Sequence, residues 1–194
     1  AGTGALLVLD NHAVATINDS ILSDCPGTAV VTLDYPTFSA ARTIFSRCVY
    51  GPDLGGAGVM LDGCLISDML PANREGGIPG EEDGLRIHAS PSNPTVITNT
   101  VVANVGDDAL ELQEVDYSNS GSAQVTGCIF RNAADKGIRM RSSNVPVSRT
   151  QIVDCDVGVG AAPGLSTDPA SLSLTNVTIS STPNAANTGS ALHG

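Results

Sequence analysis

The sequence predicts an all-β fold, a parallel β-helix (solenoid) of about seven turns, in a single domain that spans residues 1–194. A strand signature recurs at intervals of 21 to 31 residues, and a second set of β-branched runs alternates with it. No stretch of useful length has the 3.6-residue apolar period of an amphipathic helix. Repeats of this length are typical of solenoids, in which each turn buries its apolar edge against its neighbours.

The first repeated element is a small residue followed by the pattern apolar, any residue, apolar. We expect each copy to be a strand whose apolar side chains point inward, because successive side chains of a strand lie on opposite faces. The copies begin at Ala5, Ala29, Gly58, Gly84, Ala109, Gly137, Gly158 and, more weakly, Gly189.

The second element is a run that alternates between apolar and polar residues and is rich in β-branched side chains. Such alternation is typical of strands, and most runs have an Asn, Asp or Gly near a corner. Together the two elements predict two strands per turn of about 25 residues. The runs cover residues 16–22, 44–50, 96–102, 124–130, 148–152 and 172–179.

One segment interrupts the repeat. Residues 69–82 contain Pro71, Pro79 and the pair Gly76-Gly77, which break strands. We expect this segment to protrude from the solenoid as a loop.

Composition limits the function classes. Aromatic residues make up 3% of the chain, there is no Trp, and the 21 glycines suit a narrow interior. The formal charge of −11 argues against nucleic acid and anionic membranes, which attract basic proteins. No apolar run approaches the roughly 20 residues that cross a bilayer, so membrane insertion is not expected. A low Lys content with abundant Ser, Thr, Asn and Gly favours an extracellular or cell-surface protein.

The five cysteines show no C-x-x-C spacing, which argues against a zinc site. Cys48, Cys128 and Cys64 fall at similar places in the repeat. One interpretation is a column of buried thiols that act as small apolar side chains. The alternative is a disulfide between Cys48 and Cys64, because adjacent strands lie within the Cα separation of a disulfide.

Charged residues form columns when the strand signatures that begin at Gly84, Ala109 and Gly137 are aligned. Strict alternation places the second and fourth residues after the small residue on the outer face, and the acidic residues before it at the entering corner. From the corner outward, the columns are Glu82/Asp107/Asp135, Asp83/Asp108/Lys136, Arg86/Glu111/Arg139 and His88/Gln113/Arg141.

Three interpretations of these columns stay open. The side chains Arg86, Glu111 and Arg139 would neutralise one another across strands in a structural ladder. Alternatively, neighbouring carboxylates would bind calcium, which prefers clustered oxygen ligands, or two of them would act as acid and base in glycoside cleavage. No other cofactor is expected. The calcium ligands would be Glu82, Asp83, Asp107, Asp108 and Asp135.

Two phrases carry a family resemblance. Residues 101–112, with Gly106-Asp107-Asp108, and residues 134–140, with Asp135-Lys136-Gly137, are similar to the right-handed parallel β-helix superfamily that includes pectate lyases and polygalacturonases. The resemblance implies a right-handed solenoid. For an enzyme of this kind it implies catalytic roles among Asp83, Asp107, Asp108, Asp135, Lys136 and Arg139, with Lys136, Arg139 and Arg141 binding the uronate of an acidic polysaccharide.

The chain departs from the polygalacturonase pattern, since Asp135-Lys136-Gly137 stands where that family has Gly-His-Gly. The chain also begins and stops inside strand signatures, without polar caps, and uncapped strands promote association. The sequence therefore favours a non-catalytic structural solenoid that assembles head-to-tail into a filament or belongs to a longer solenoid. The alternative is a polysaccharide lyase or glycoside hydrolase, or a fragment of one.

Overall fold

The chain winds through three parallel sheets in the computed structural model, which describes residues 4–56, 58–70, 82–90, 94–116, 123–162, 171–180 and 190–193. Within these residues there are 22 strands and no helix. Every strand pair is parallel, and the neighbours of each strand come from the preceding and following turns. The predicted all-β parallel β-helix is confirmed.

We label the sheets A, B and C in the order in which the chain visits them. Sheet A contains β1 (Ala5–Leu9), β4 (Thr28–Thr32), β7 (Asp53–Gly55), β10 (Leu85–Ser90), β13 (Leu110–Val115), β16 (Lys136–Arg141), β19 (Val157–Ala162) and β22 (Ser190–His193). Sheet B contains β2 (Val14–Asn18), β5 (Thr37–Ala41), β8 (Gly58–Asp62), β11 (Thr95–Thr98), β14 (Ala123–Thr126), β17 (Asn144–Ser148) and β20 (Ser171–Thr175). Sheet C contains β3 (Ile21–Ser23), β6 (Ile44–Ser46), β9 (Leu65–Met69), β12 (Val101–Val105), β15 (Ile129–Ala133), β18 (Gln151–Val153) and β21 (Thr178–Ser180).

Each turn has three strands rather than the predicted two. The runs at residues 16–22 and 96–102 each contain a strand of sheet B and a strand of sheet C, separated by a two-residue corner. The alternation of apolar and polar residues continues across so short a corner, which is why the sequence suggested one strand. Sheets B and C have seven described strands each, so the winding comprises about seven turns, as predicted.

The corners from sheet B to sheet C each begin with a residue of positive φ. Asn and Asp tolerate this left-handed conformation better than most residues, and Gly adopts it freely. Arg42 and Arg149 are exceptions. The guanidinium of Arg42 donates hydrogen bonds of 2.7 and 2.8 Å to the Asp19 carboxylate of the preceding corner. The seven residues are Asp19, Arg42, Gly63, Asn99, Gly127, Arg149 and Asn176, with φ from 49° to 68°.

The interior is a set of apolar columns that run along the solenoid axis. In sheet A, Leu85, Leu110 and Ile138 are paired in register and fully buried. Phe38 and Phe45 pack together at a ring-centroid distance of 6.4 Å. Because each inward side chain rests on its equivalent in the next turn, Val, Ile, Leu and Ala make up most of this core.

The small-residue column lies at the corner that enters sheet A, and its close packing explains why Gly recurs there. A Cβ on Gly84 would lie 2.3 Å from Val102 Cγ1 and 2.8 Å from the carbonyl oxygen of Ala109. The sequence assignment was wrong at two described copies. Gly58 begins strand β8 of sheet B, and Gly51 occupies the column instead. Ala5 pairs with Thr28, the residue before Ala29. In the turn of Gly51, Pro52 stands at the first apolar position of the pattern, where the equivalent turns have an aliphatic residue.

The cysteines belong to two different columns, and all five are buried thiols. Cys64 and Cys128 lie just after the corner from sheet B to sheet C, in a column with Thr43, Thr100 and Thr150. Cys48 instead follows a strand of sheet C. Buried thiols are therefore confirmed, whereas the grouping of Cys48 with Cys128 and the Cys48–Cys64 disulfide were wrong, because the two corners lie on different edges of the solenoid.

The predicted loop at residues 69–82 is only partly described. Met69 ends β9 and is buried, and Leu70 donates a backbone hydrogen bond to the carbonyl of Cys48. Residues 71–81 lie outside the described residues.

Replacing Gly84 with Ala should lower the free energy of unfolding by about 1–3 kcal/mol, the usual cost of overpacking a filled interior. The Cβ would meet backbone as well as side-chain atoms, and the backbone cannot move without breaking the ladder. Gly58→Ala is the matched control, since the nearest atom to its Cβ would be Thr37 Oγ1, 3.8 Å away. Urea unfolding of both variants measures the difference, and equal stability would contradict the close-packing argument.

Candidate functional site

The acidic columns meet at the corner that enters sheet A. Backbone hydrogen bonds hold this corner in register: Asp107 N–H donates to the Glu82 carbonyl at 3.3 Å, and Asp135 N–H donates to the Asp107 carbonyl at 3.2 Å. Gly84 N–H donates to the Asp108 carbonyl at 2.9 Å. These contacts stack the acidic residues of three successive turns, as the sequence predicted.

Three of the predicted acidic residues converge. One carboxylate oxygen each from Asp83, Asp107 and Asp108 lies within 4.8 Å of the other two. Glu82 is fully buried, and Asp135 is partly exposed; neither belongs to this convergent group. Asp83, Asp107 and Asp108 are thus the described residues that could hold a cation.

Asp108 is held by cationic groups of the next turn. Its carboxylate is fully buried and accepts hydrogen bonds from the backbone N–H of Lys136 and from Arg139 Nη1, both at 3.0 Å. Lys136 Nζ lies 3.8 Å from the Asp108 carboxylate and is also paired with Asp135. Burial raises the pKa of Asp108, while Lys136 and Arg139 oppose the rise. Asp108 therefore positions these two basic groups.

The two other carboxyl groups have strongly raised pKa values. Burial, followed by the charges of Glu111, Asp108 and Asp107, raises the pKa of Asp83 to about 9. Burial and the charges of Asp108 and Asp135 raise the pKa of Asp107 to about 7, against the opposing effect of Arg139 and Lys136. With these pKa values, Asp83 is protonated at neutral pH, and Asp107 is protonated in part of the molecules.

A charged network covers the outer face of sheet A beside this cluster. Glu111 is buried among three guanidinium groups: its carboxylate lies 3.3 Å from Arg86 Nε, 3.2 Å from Arg141 Nε and 3.9 Å from Arg139 Nε. The pairing of Arg86, Glu111 and Arg139 in register confirms the predicted cross-strand ladder. Arg139 also pairs with Asp108, so Arg86 and Arg141 are the two guanidinium groups that share Glu111 at close range.

Sequence reasoning missed Asp53, because the turn that contains it was misaligned. Asp53 pairs with Arg86 in register, and its carboxylate lies 3.1 Å from His88 Nε2. The imidazole of His88 lies over Gly55, where a Cβ would be 2.7 Å from its Cε1. The column of charged residues across successive turns was the signal that would have located Asp53.

These side chains line a cleft of about 510 Å³ on the outer surface of the solenoid. The cleft lies across five turns of sheet A, from Thr28 to Arg141. Its charged lining includes Asp53, Asp83, Asp107, Arg86, Arg139 and Arg141.

The architecture places the chain in the class of parallel β-solenoids. The model of a right-handed β-helix region matches residues 4–186, nearly the whole chain, and the chain belongs to this family. No curated protein and no solved structure matches the chain. Among the described residues, no helix has the length and apolarity needed to cross a membrane.

The raised pKa of Asp83 predicts a stability effect of definite sign. Between pH 4 and pH 9, roughly, the folded protein holds a proton on Asp83 that the unfolded chain has lost, so stability falls as pH rises through this window. Asp83→Asn keeps the neutral form at every pH. We therefore expect it to raise the free energy of unfolding at about pH 8 by about 1–2 kcal/mol, and to have little effect near pH 4.

Urea unfolding at the two pH values measures this effect. Asp19→Asn is the control of opposite sign, because the hydrogen bonds from Arg42 lower the pKa of that exposed carboxylate. Its removal should give no gain at either pH. A loss of stability in Asp83→Asn at pH 8 would show that Asp83 is ionised in the folded protein.

Proposed function

We propose that the protein cleaves an acidic polysaccharide by acid–base catalysis in the cleft on sheet A. The observation that carries this proposal is the combination, in one cleft, of two carboxyl groups whose pKa values are about 9 and about 7 with three guanidinium groups. Neighbouring carboxyl groups with separated pKa values are the usual arrangement of a general acid and a general base.

Asp83 is the proton donor in this scheme. It lines the cleft, and its neutral form persists at neutral pH, so it can protonate the glycosidic oxygen as the bond breaks. Asp107 is the proton acceptor, since its pKa of about 7 makes its carboxylate available near neutrality. It would take a proton from an attacking water in hydrolysis, or from the carbon beside the uronate carboxylate in elimination.

The remaining residues position these two and bind the substrate. Asp108 is fully buried and orients Lys136 and Arg139 rather than touching the sugar. Arg86 and Arg141 share the single carboxylate of Glu111, so their guanidinium groups are available to pair with a uronate carboxylate. Asp135 pairs with Lys136 and is the remaining member of the catalytic set predicted from the sequence.

Calcium binding by the carboxyl groups of Asp83, Asp107 and Asp108 is an alternative proposal with weaker support. A cation would have to displace the proton of Asp83 and compete with Arg139 and Lys136 for Asp108. These groups already neutralise the cluster, so the acid–base role accounts for the charges without a metal.

The activity should show a bell-shaped pH dependence. The base must be ionised, so the rate rises through about pH 7; the acid must be protonated, so the rate falls through about pH 9. The optimum is therefore expected near pH 8. Because the two groups interact, the limbs report the pair rather than either residue alone.

The assay measures new reducing ends and unsaturated uronate products from a panel of polyuronates, each with calcium and with a chelator. Asp83→Asn and Asp107→Asn should each lower the rate at least about 100-fold. Asp62→Asn is the matched control, since Asp62 is exposed and bonded to Thr98 and Asn99 in sheet B. No product from any polyuronate, or full activity in both cleft variants, would overturn the proposal.

A second proposal, that the solenoid is structural and assembles end to end at the cell surface or outside it, rests on a different observation. In the first turn, the inward side chains of Leu7, Ile17 and Leu22 are only partly buried, whereas their equivalents one turn along are more deeply covered. In the last full turn, Leu172, Leu174 and Ile179 are likewise partly exposed. A further β-helical turn at each end, from the same polypeptide or from a second copy, would cover these two apolar faces.

End-to-end assembly predicts particles that grow with protein concentration. Light scattering and electron microscopy of the purified chain should show filaments, and Leu22→Ser should shorten them by weakening one apolar face. Met60→Ser is the control, because Met60 is 49% exposed on the outer side of sheet B. A chain that stays monomeric at all concentrations would exclude the head-to-tail filament and leave the cleft proposal untouched.

A further inference from the structure

Two cysteines occupy equivalent positions in the first two turns. Cys25 follows β3 and Cys48 follows β6, one residue beyond a left-handed corner residue in each case. Asp24 N–H donates to the carbonyl of Ser46 at 3.1 Å, and Val49 N–H donates to the carbonyl of Cys25 at 3.2 Å. These two hydrogen bonds flank the pair and hold Cys25 directly against Cys48 in the ladder.

The spacing and direction of the two side chains suit a covalent bond. Adjacent strands lie about 4.8 Å apart, within the Cα separation of about 4.4–6.8 Å found in disulfides. Both thiols point into the interior, with residue exposures of 5% for Cys25 and 0% for Cys48. The side chain of Cys25 is near enough to interact with the Cys48 thiol.

No other pair of cysteines is placed in this way. Thr100 lies between Cys64 and Cys128 in their column, and its hydroxyl oxygen accepts a hydrogen bond of 3.4 Å from the Cys64 N–H. Cys155 shares the edge of Cys25 and Cys48, but the equivalent position one turn earlier is Ala133. Only Cys25 and Cys48 are neighbours in adjacent turns.

We propose that Cys25 and Cys48 form a disulfide when the protein matures in contact with an oxidant of the disulfide class, such as oxidised glutathione. The thiolate of Cys25 attacks one sulfur of the oxidant, forming a mixed disulfide and releasing one reduced thiol. The thiolate of Cys48 then attacks the Cys25 sulfur and releases the second. Two electrons pass to the oxidant, and the two cysteine protons end on the two released thiols.

Cys25 makes the first attack, because the Cys48 thiol is fully buried and this burial raises its pKa. Cys25 is slightly exposed at the edge of the first turn, where its Sγ lies 3.7 Å from the carbonyl of Gly4. Opening of this turn would admit a small oxidant without disturbing the turns beyond it. The bond then fastens the first turn, whose inward apolar side chains are only partly buried, to the second.

The effect on stability follows from the position of the bond. Cys25 and Cys48 are 23 residues apart, so the disulfide closes one whole turn of the solenoid. Closing such a loop restricts the unfolded chain and also prevents the first turn from detaching alone. In the oxidised protein, a reductant should lower the melting temperature by about 5–10 °C.

Peptide mapping tests the connectivity. The purified chain is treated with oxidised glutathione, alkylated in denaturant and digested with trypsin without reduction. Cleavage after Arg42, Arg47 and Arg74 places Cys25 in residues 1–42, and Cys48 together with Cys64 in residues 48–74. We expect these two peptides to be joined, with Cys64, Cys128 and Cys155 alkylated.

The alternatives give different maps. Alkylation of all five cysteines, or a bond internal to residues 48–74, would overturn the proposal. Cys25→Ser should lose the shift of melting temperature on reduction, and the matched control Cys155→Ser should keep it. If a variant folds poorly, the wild-type melting temperature with and without reductant still decides, since no shift in a protein that carries the bond would refute its stabilising role. The result is independent of any activity at the cleft.

Discussion

The parallel hydrogen-bond ladder between successive turns is the constraint on which the rest of this molecule depends. It brings every position of one turn to within about 4.8 Å of the equivalent position in the next. Side chains are therefore sorted into columns, and each residue must be compatible with its neighbours along the axis. Leu85, Leu110 and Ile138 satisfy this demand by stacking apolar groups, and Gly84 satisfies it by having no side chain at all.

The same constraint creates the electrostatics of the cleft. Stacked corners bring the carboxyl groups of Asp83, Asp107 and Asp108 together, although like charges at this distance repel. The molecule relieves the repulsion by protonation at Asp83 and by pairing Asp108 with Arg139 and Lys136. A site with one persistent acid, one carboxyl group that titrates near neutrality and adjacent guanidinium groups is the consequence. Its chemistry thus comes from the spacing of the turns as much as from the residues.

The corners show how the chain changes direction while keeping this register. Left-handed residues lie at or near the corners on all three edges of the solenoid, and Asp, Asn or Gly fills most of these positions at low conformational cost. Where Arg47 occupies such a position, its guanidinium pairs with Asp24 of the preceding corner at 2.7 Å. The pair is exposed and contributes little to stability by itself. It does show that even surface residues of this fold interact along columns.

The sequence by itself determined the fold class, the small-residue columns and most of the charged columns, because a periodic pattern records which residues must be alike from turn to turn. The periodic pattern alone predicted the alignment of Glu111 with Arg86 and Arg139. Only the tertiary structure decided the number of strands per turn, since a corner such as Asp19-Ser20 is short enough for the alternation of side chains to continue through it. It also decided that Cys48 faces Cys25 rather than Cys64, and that Asp53 belongs to the cleft. Turn lengths vary by several residues, so counting along the chain cannot assign an edge of the solenoid, whereas the hydrogen bonds between turns assign it residue by residue.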